Sequence, residues 1–224
     1  MTFADRFNYI AFYDLDHTIL KGNSATTLVE VAREREIMSS RQFRHALYLS
    51  VIYKLNLGNS TKMINRMLSW LKGLEEASIR RLCSEVFNNQ LVETIRPEIL
   101  QSLDKHRNEN AAVVLLSSAS LPVCEPVSKY LNMDETICTR LESINGILTG
   151  HTLGKLVYGK EKKEQLLAFC ETHGHDPKLA YYYGDSYTDQ HVMEAVGNPV
   201  AVSPDKKLLR IASARNWQIL VHDR

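Results

Sequence analysis

Two carboxylates stand two positions apart in Asp14-Leu15-Asp16-His17-Thr18, directly after the apolar run Ile10-Ala11-Phe12-Tyr13. In an extended chain residues i and i+2 project to the same side, so Asp14 and Asp16 can face one small ligand together. Like charges this close repel unless a cation or a shared proton joins them, so a buried pair implies metal binding or proton transfer. A solvated acidic turn after an edge strand would write the same five residues. Three further signals favour chemistry. The run Ala180-Tyr181-Tyr182-Tyr183 ends in Gly184-Asp185-Ser186-Tyr187-Thr188-Asp189, and the run Ala111 to Leu116 ends in Ser117-Ser118. Between these two runs lies a lysine-rich helix start, Gly159-Lys160-Glu161-Lys162-Lys163-Glu164.

The elements that must position these groups fall into two blocks. From about residue 24 to 108 the apolar residues recur at helical spacing with almost no strand signal. Leu28, Val31 and Ala32 share one face. Ser39 and Gln42 form a capping box ahead of a stripe of Phe43, Leu47, Val51 and Leu55. Gly58-Asn59-Ser60 breaks the pattern before Met63, Ile64, Met67, Leu68 and Leu71, and Ile79, Leu82, Cys83 and Val86 make another stripe. Pro97 sits in the first turn of a helix with Leu100 and Leu103. After residue 110 strands and helices alternate, with Asn145-Gly146 marking a tight hairpin, a helix from about Glu161 to Thr172, a strand from Ala180 and a helix from Asp189 to Val196. Such alternation predicts a parallel sheet covered on both faces, with ligands at the carboxyl ends of its strands.

Acids, a hydroxyl, a lysine and more acids, in this order and each beside a strand or helix end, resemble the four motifs of the haloacid dehalogenase-like phosphohydrolases. The resemblance spans nearly the whole chain. It implies a Rossmann-like parallel core at 1–22 and 109–224, with an inserted all-helical cap of the C1 type at 23–108. It also implies a magnesium-dependent phosphomonoester hydrolase in which Asp14 is the nucleophile and Asp16 the general acid and base. Asp185 would complete a Mg2+ site with Asp14 and the backbone carbonyl of Asp16, and Asp189 would be a direct ligand or an acceptor for metal-bound water. Thr18 would bond within the first loop. Ser117 would bind phosphate, with Ser118 in reserve. Read against the relatives' G-E-G-K-x-E-x-L, Lys162 is the functional lysine, four residues before Leu166 on the sheet-facing side, and Lys160 and Lys163 are solvated.

The helical insertion and the short hairpin resemble subfamily IB, the branch that includes phosphoserine phosphatases. Those enzymes place a glutamate just after the first motif to hold the substrate ammonium; here Lys21-Gly22-Asn23-Ser24 has no acid. Asn23 and Arg66 are expected to touch substrate, with Arg44 and Tyr48 also in reach. Phosphoserine is not expected to be preferred. A phosphotransferase or mutase using the same aspartyl phosphate, and a phosphatase of lipid headgroups, are the alternatives. A binding module that kept only the fold fits poorly with every catalytic position being filled.

Composition adds boundaries. A formal charge of +1 gives no reason to expect nucleic acid or an anionic membrane as a partner, and no stable membrane insertion is expected. Four scattered cysteines, Cys83, Cys124, Cys138 and Cys170, lack metal-ligand spacing and suit buried thiols in a reducing compartment. The histidines, His106 among them, are expected at the surface or in caps. The N-terminus shows no signal-peptide pattern, and the longest apolar stretch, Ala46 to Leu57, is too short to span a bilayer. The expectation is a soluble cytoplasmic enzyme acting on a small phosphorylated substrate; nothing in the sequence sets its oligomeric state.

Overall fold

The computed structural model of the chain describes residues 3–54 and 66–221. The break at Gly58-Asn59-Ser60, Met63, Ile64 and the side chains of Val51, Ile52 and Leu55 lie outside the described residues. Seven strands form one sheet in the order β4-β3-β2-β1-β5-β6-β7. They are β1 (Ile10–Tyr13), β2 (Ala112–Ser120), β3 (Glu135–Ile144), β4 (Ile147–Leu153), β5 (Tyr181–Gly184), β6 (Asn198–Val202) and β7 (Gln218–Val221). Only the β3–β4 pair is antiparallel. Its two-residue turn puts Asn145 at φ 52° and Gly146 at φ 79°, the left-handed pair that a tight hairpin needs.

The central strands read as unbroken apolar runs because both faces are covered. Ala11, Tyr13, Val113 and Leu115 enter one core; Ile10, Phe12, Val114 and Leu116 enter the other. The flanking helices are α1 (Phe3–Arg6), α2 (Ser24–Glu34), α3 (Ser40–Lys54), α4 (Glu76–Val86), α5 (Pro97–Asn108), α6 (Leu121–Tyr130), α7 (Lys160–Thr172), α8 (Gln190–Met193) and α9 (Lys206–Ala214). None of the described helices is long and apolar enough to cross a membrane. All four cysteines are buried free thiols.

Between β1 and β2 the described residues are mainly helical, as their periodicity predicts. Ser39 and Gln42 exchange the reciprocal bonds of a capping box, the Ser39 amide donating to Gln42 Oε1 at 2.9 Å and the Gln42 amide to Ser39 Oγ at 3.3 Å. The stripe on α3 is a correction: Ala46 and Leu49 are buried, whereas Leu47 and Tyr48 are 54% and 62% exposed. On α5 the buried face is Ile99, Ser102, Leu103 and His106, with Leu100 exposed. His106 is therefore a second correction, a core residue and not a surface one. Its Nδ1 lies 2.8 Å from Tyr9 Oη and its Nε2 2.8 Å from Tyr183 Oη, which a neutral imidazole satisfies with one nitrogen donating and the other accepting. β2 also runs longer than its apolar stretch and takes in Ser117 and Ser118, and the helix expected over 189–196 is confined to Gln190–Met193.

The helical segment is tied to the rest of the chain at two places. Where the chain enters and leaves it, the two crossings bond to each other, the Lys21 amide donating to the Thr94 carbonyl and the Arg96 amide to the Ile19 carbonyl, both at 2.9 Å. At the far side, the Gly73 amide donates to the Leu148 carbonyl and the Leu148 amide to the Leu74 carbonyl, and the Glu76 amide donates to Gly146. Residues 73–76 thus continue the sheet beyond β4. Arg80 on α4 adds ion pairs to Glu76 and to Glu125 of α6.

Candidate active site

Strand register alone brings the sequence motifs together. Tyr13 pairs with Leu115 of β2 and with Tyr183 of β5. The residues just beyond them, Asp14, Ser117 and Asp185, therefore leave the same edge of three neighbouring parallel strands, with β1 in the middle. The Asp14 amide stays in the sheet by donating to the Tyr183 carbonyl at 2.9 Å. The chain then winds through Leu15–Ile19, where His17 adopts φ 60°, and closes as the Leu20 amide donates to the Leu15 carbonyl at 3.0 Å. This turn leaves Asp16 facing α2, whose Ser24 amide donates to Asp16 Oδ1 at 2.7 Å. Thr18 is buried and reaches Asp185 Oδ1 at 3.5 Å.

Lys162 comes from the first turn of α7. It is buried like Leu166, four residues on, while Lys160 is exposed. Its Nζ donates to Asp14 Oδ1 at 2.8 Å and to Asp189 Oδ1 at 2.9 Å. Asp14, Asp185 and Asp189 are 7%, 4% and 3% exposed, and each has a carboxylate oxygen within 4.8 Å of one from the other two. Three carboxylates this close against one ammonium leave an excess of negative charge in a buried pocket, and all the donors are oxygen. That donor set fits a hard divalent cation such as Mg2+.

Burial dominates the electrostatics. It pushes the Asp14 carboxyl up to about 6, against the pull of Lys162 and with Asp189 adding to the rise. Burial also raises Asp16, partly offset by the Ser24 amide. For Lys162 burial works against the ammonium, but Asp14 and Asp189 outweigh it and hold its pKa above the ordinary lysine value.

A model of the haloacid dehalogenase-like hydrolases matches residues 11–194. The chain belongs to this family. Among curated relatives, the inhibition of morphological differentiation protein of Streptomyces azureus is 28% identical over 215 residues, covering 94% of this chain and 77% of that protein. A phosphoserine phosphatase of Mycobacterium tuberculosis is 24% identical over 213 residues, covering 93% of this chain and 69% of that one. Among solved structures, a protein of unknown function from Bordetella pertussis Tohama I superposes with a TM-score of 0.87 at 22% identity, over 96% of this chain and 99% of that one. At that identity the likeness is one of fold.

Within this haloacid dehalogenase-like hydrolase the remaining expected residues are more dispersed. Ser117 is buried and its Oγ accepts from the Ala119 amide at 3.2 Å; Ser118 is half-buried and its carbonyl accepts from Thr139 Oγ1 at 2.9 Å. Asn23 spends its side-chain oxygen on the start of α2, accepting from the Thr26 amide at 2.9 Å. Arg66 is exposed and lines a groove with residues of α3. Sequence reasoning missed Tyr182. Its hydroxyl donates to Asp189 Oδ1 at 3.0 Å and the Lys162 Nζ lies 5.4 Å from its ring centroid. The signal was a tyrosine on a central strand where a helix-covered face usually carries an aliphatic residue. Gly184 belongs with it, because a Cβ there would meet Tyr182 at 2.7 Å and Asp189 Oδ2 at 2.9 Å.

Proposed function

We propose that this hydrolase cleaves phosphomonoesters with Mg2+ through a phosphorylated Asp14. The observation that carries the reading is the buried Asp14–Lys162–Asp189 arrangement beside Asp185 at the carboxyl edge of the sheet. Asp14, Asp185 and Asp189, with the Asp16 carbonyl, would hold the cation. When bound it would supply positive charge that lets an anionic nucleophile approach an anionic phosphate.

The chain's own groups would do the rest. An Asp14 oxygen attacks phosphorus while the ester oxygen leaves on the far side. Asp16 has one oxygen fixed by the Ser24 amide, and burial shifts its carboxyl toward the protonated form; as general acid it hands a proton to the leaving oxygen. Asp16 then takes a proton from the water that attacks the phosphorylated Asp14, and phosphate departs. Lys162 and the Ser117 hydroxyl, with Ser118 in reserve, stabilise the equatorial oxygens. Residues 23–108 would act as a cap over the site, with Arg66 among the groups that meet the leaving part.

The substrate is a small phosphorylated molecule, and phosphoserine is not preferred over phosphate esters that lack an amino group. Asn23 is uncharged and already capping α2, so it offers no partner to a buried ammonium. The decisive experiment measures phosphate release from p-nitrophenyl phosphate with Mg2+ and with a chelator, then kcat/KM for phosphoserine beside glycerol phosphate. Metal-independent turnover would refute the catalytic reading, and a tenfold preference for phosphoserine, about 1.4 kcal/mol, would refute the substrate reading. A requirement for an acceptor other than water would turn the assignment to a phosphotransferase.

A further inference from the structure

The charge of this protein is almost balanced overall but not along its length. Between Glu36 and Glu75 there is no Asp or Glu, while Arg41, Arg44, Lys54, Lys62, Arg66 and Lys72 all fall there. This one stretch carries +6, so the remaining residues of a +1 chain sum to −5. All 26 acids of the chain thus lie outside this one stretch.

The structure gathers part of that charge on one concave face. Arg41, Arg44, His45 and Tyr48 recur at helical spacing along α3, and Arg66 and Trp70 close the other side of a groove of about 490 Å³. No carboxylate is among the described residues lining it. Leu47 and Tyr48 stand more than half exposed on the same helix, Tyr48 within the groove and Leu47 outside it.

We propose that this face of the helical segment docks on a bilayer surface that carries anionic phospholipids. Basic side chains without neutralising acids are drawn to such a surface, and arginine suits phosphate oxygens in particular. Exposed apolar and aromatic side chains on a basic helix then enter the headgroup boundary, each component adding to the other. A soluble anion would account for the arginines but not for Leu47 standing outside the groove. A second copy of the chain, paired symmetrically through this face, would bring a second acid-free +6 segment against the first. Docking of this kind needs no spanning helix.

Co-sedimentation of the full-length protein with vesicles of phosphatidylcholine, with and without phosphatidylglycerol, tests the proposal. The expected result is binding only when phosphatidylglycerol is present, weakening as salt is raised. The variant Arg41→Glu, which shifts the local charge by two units, should bind roughly tenfold less or weaker still while hydrolysing p-nitrophenyl phosphate like wild type, which shows that it is folded. If that variant does not fold, Arg41→Gln with the salt series on wild type serves instead. Equal binding to pure phosphatidylcholine overturns the proposal, as does no binding to either vesicle. Release from vesicles by soluble glycerol phosphate at unchanged ionic strength would also overturn it, because the groove would then be a site for a free anion. Failure of any of these leaves the hydrolase reading intact, since that rests on metal-dependent turnover.

Discussion

Replacing Asp14 by Asn should abolish turnover and at the same time make the metal-free protein more stable. In the folded chain the Asp14 carboxyl is pushed up from 3.8 to about 6, chiefly by burial. The folded state therefore keeps a proton that the unfolded chain releases between those two values, so stability falls as pH rises through that window and stays lower above it. Two pKa units at about 1.36 kcal/mol each put the cost of the ionised carboxylate near 3 kcal/mol at pH 8. Asn has the shape of the neutral form and still offers Lys162 an oxygen acceptor, so Asp14→Asn removes that cost. At roughly 2–4 °C per kcal/mol for a chain of this size, Tm in EDTA at pH 8 should rise by about 6–12 °C. The gain should vanish at pH 4, where wild-type Asp14 is itself protonated. In Mg2+ it should shrink or reverse, because only wild type keeps all three carboxylates for the ion. Thermal melts of both proteins at the two pH values, with and without metal, read all of this. A metal-free variant at pH 8 no more stable than wild type would refute the reasoning.

The other expectations concern the groups around that carboxylate. Lys162→Ala should lower kcat by about 10²- to 10³-fold, the range for removing one charge-stabilising donor, while Lys160→Ala stays near wild type; equal losses would show that burial does not mark the functional lysine. Tyr182→Phe keeps the ring but takes a donor from a buried carboxylate, so it should cost roughly 1.5–3 kcal/mol of stability and weaken Mg2+ binding by calorimetry; an unchanged Tm and metal affinity would assign the hydroxyl no positioning role. Burial pushes His106 down from 6.5 to about 4, so the unfolded chain binds the extra proton first and stability should drop as pH falls from about 6.5 to 4, by up to ~3 kcal/mol. His106→Asn should be less stable at neutral pH yet show a shallower acid slope, and an identical slope would remove His106 from the acid response.

The fold and the central site groups were legible because each left a one-dimensional trace. Apolar runs ended in acids, and parallel register turns that pattern into convergence without further information. The capping box at Ser39 and the Asn145-Gly146 turn were equally local, since their geometry is closed within four residues. What escaped was set by contacts distant in sequence. Tyr9, His106 and Tyr183 satisfy one another only after β1, α5 and β5 are packed, so nothing near His106 distinguishes it from a surface histidine. Leu47 occupies the expected helical phase, yet the buried face of α3 is set by Ala46 and Leu49. The fate of Asn23 turned on a choice between capping a helix and meeting a substrate, which its spacing fits equally well.

The segment at 73–76 has a mechanical consequence. Leu148 bonds with both its amide and its carbonyl to Gly73 and Leu74, so the insertion is anchored to the edge of the sheet as well as at its two chain crossings. The two crossings are bonded to each other, so they act as one pin and the residues at 73–76 as a second. An insertion held at two separated points can turn only about the line that joins them, so any opening that admits substrate would carry α2 and α3 about that line while α4, next to the second pin, stays near the sheet. Slow amide exchange at Gly73 and Leu148, matching that of β1, would be its signature, and rapid exchange there would show that the second pin comes loose.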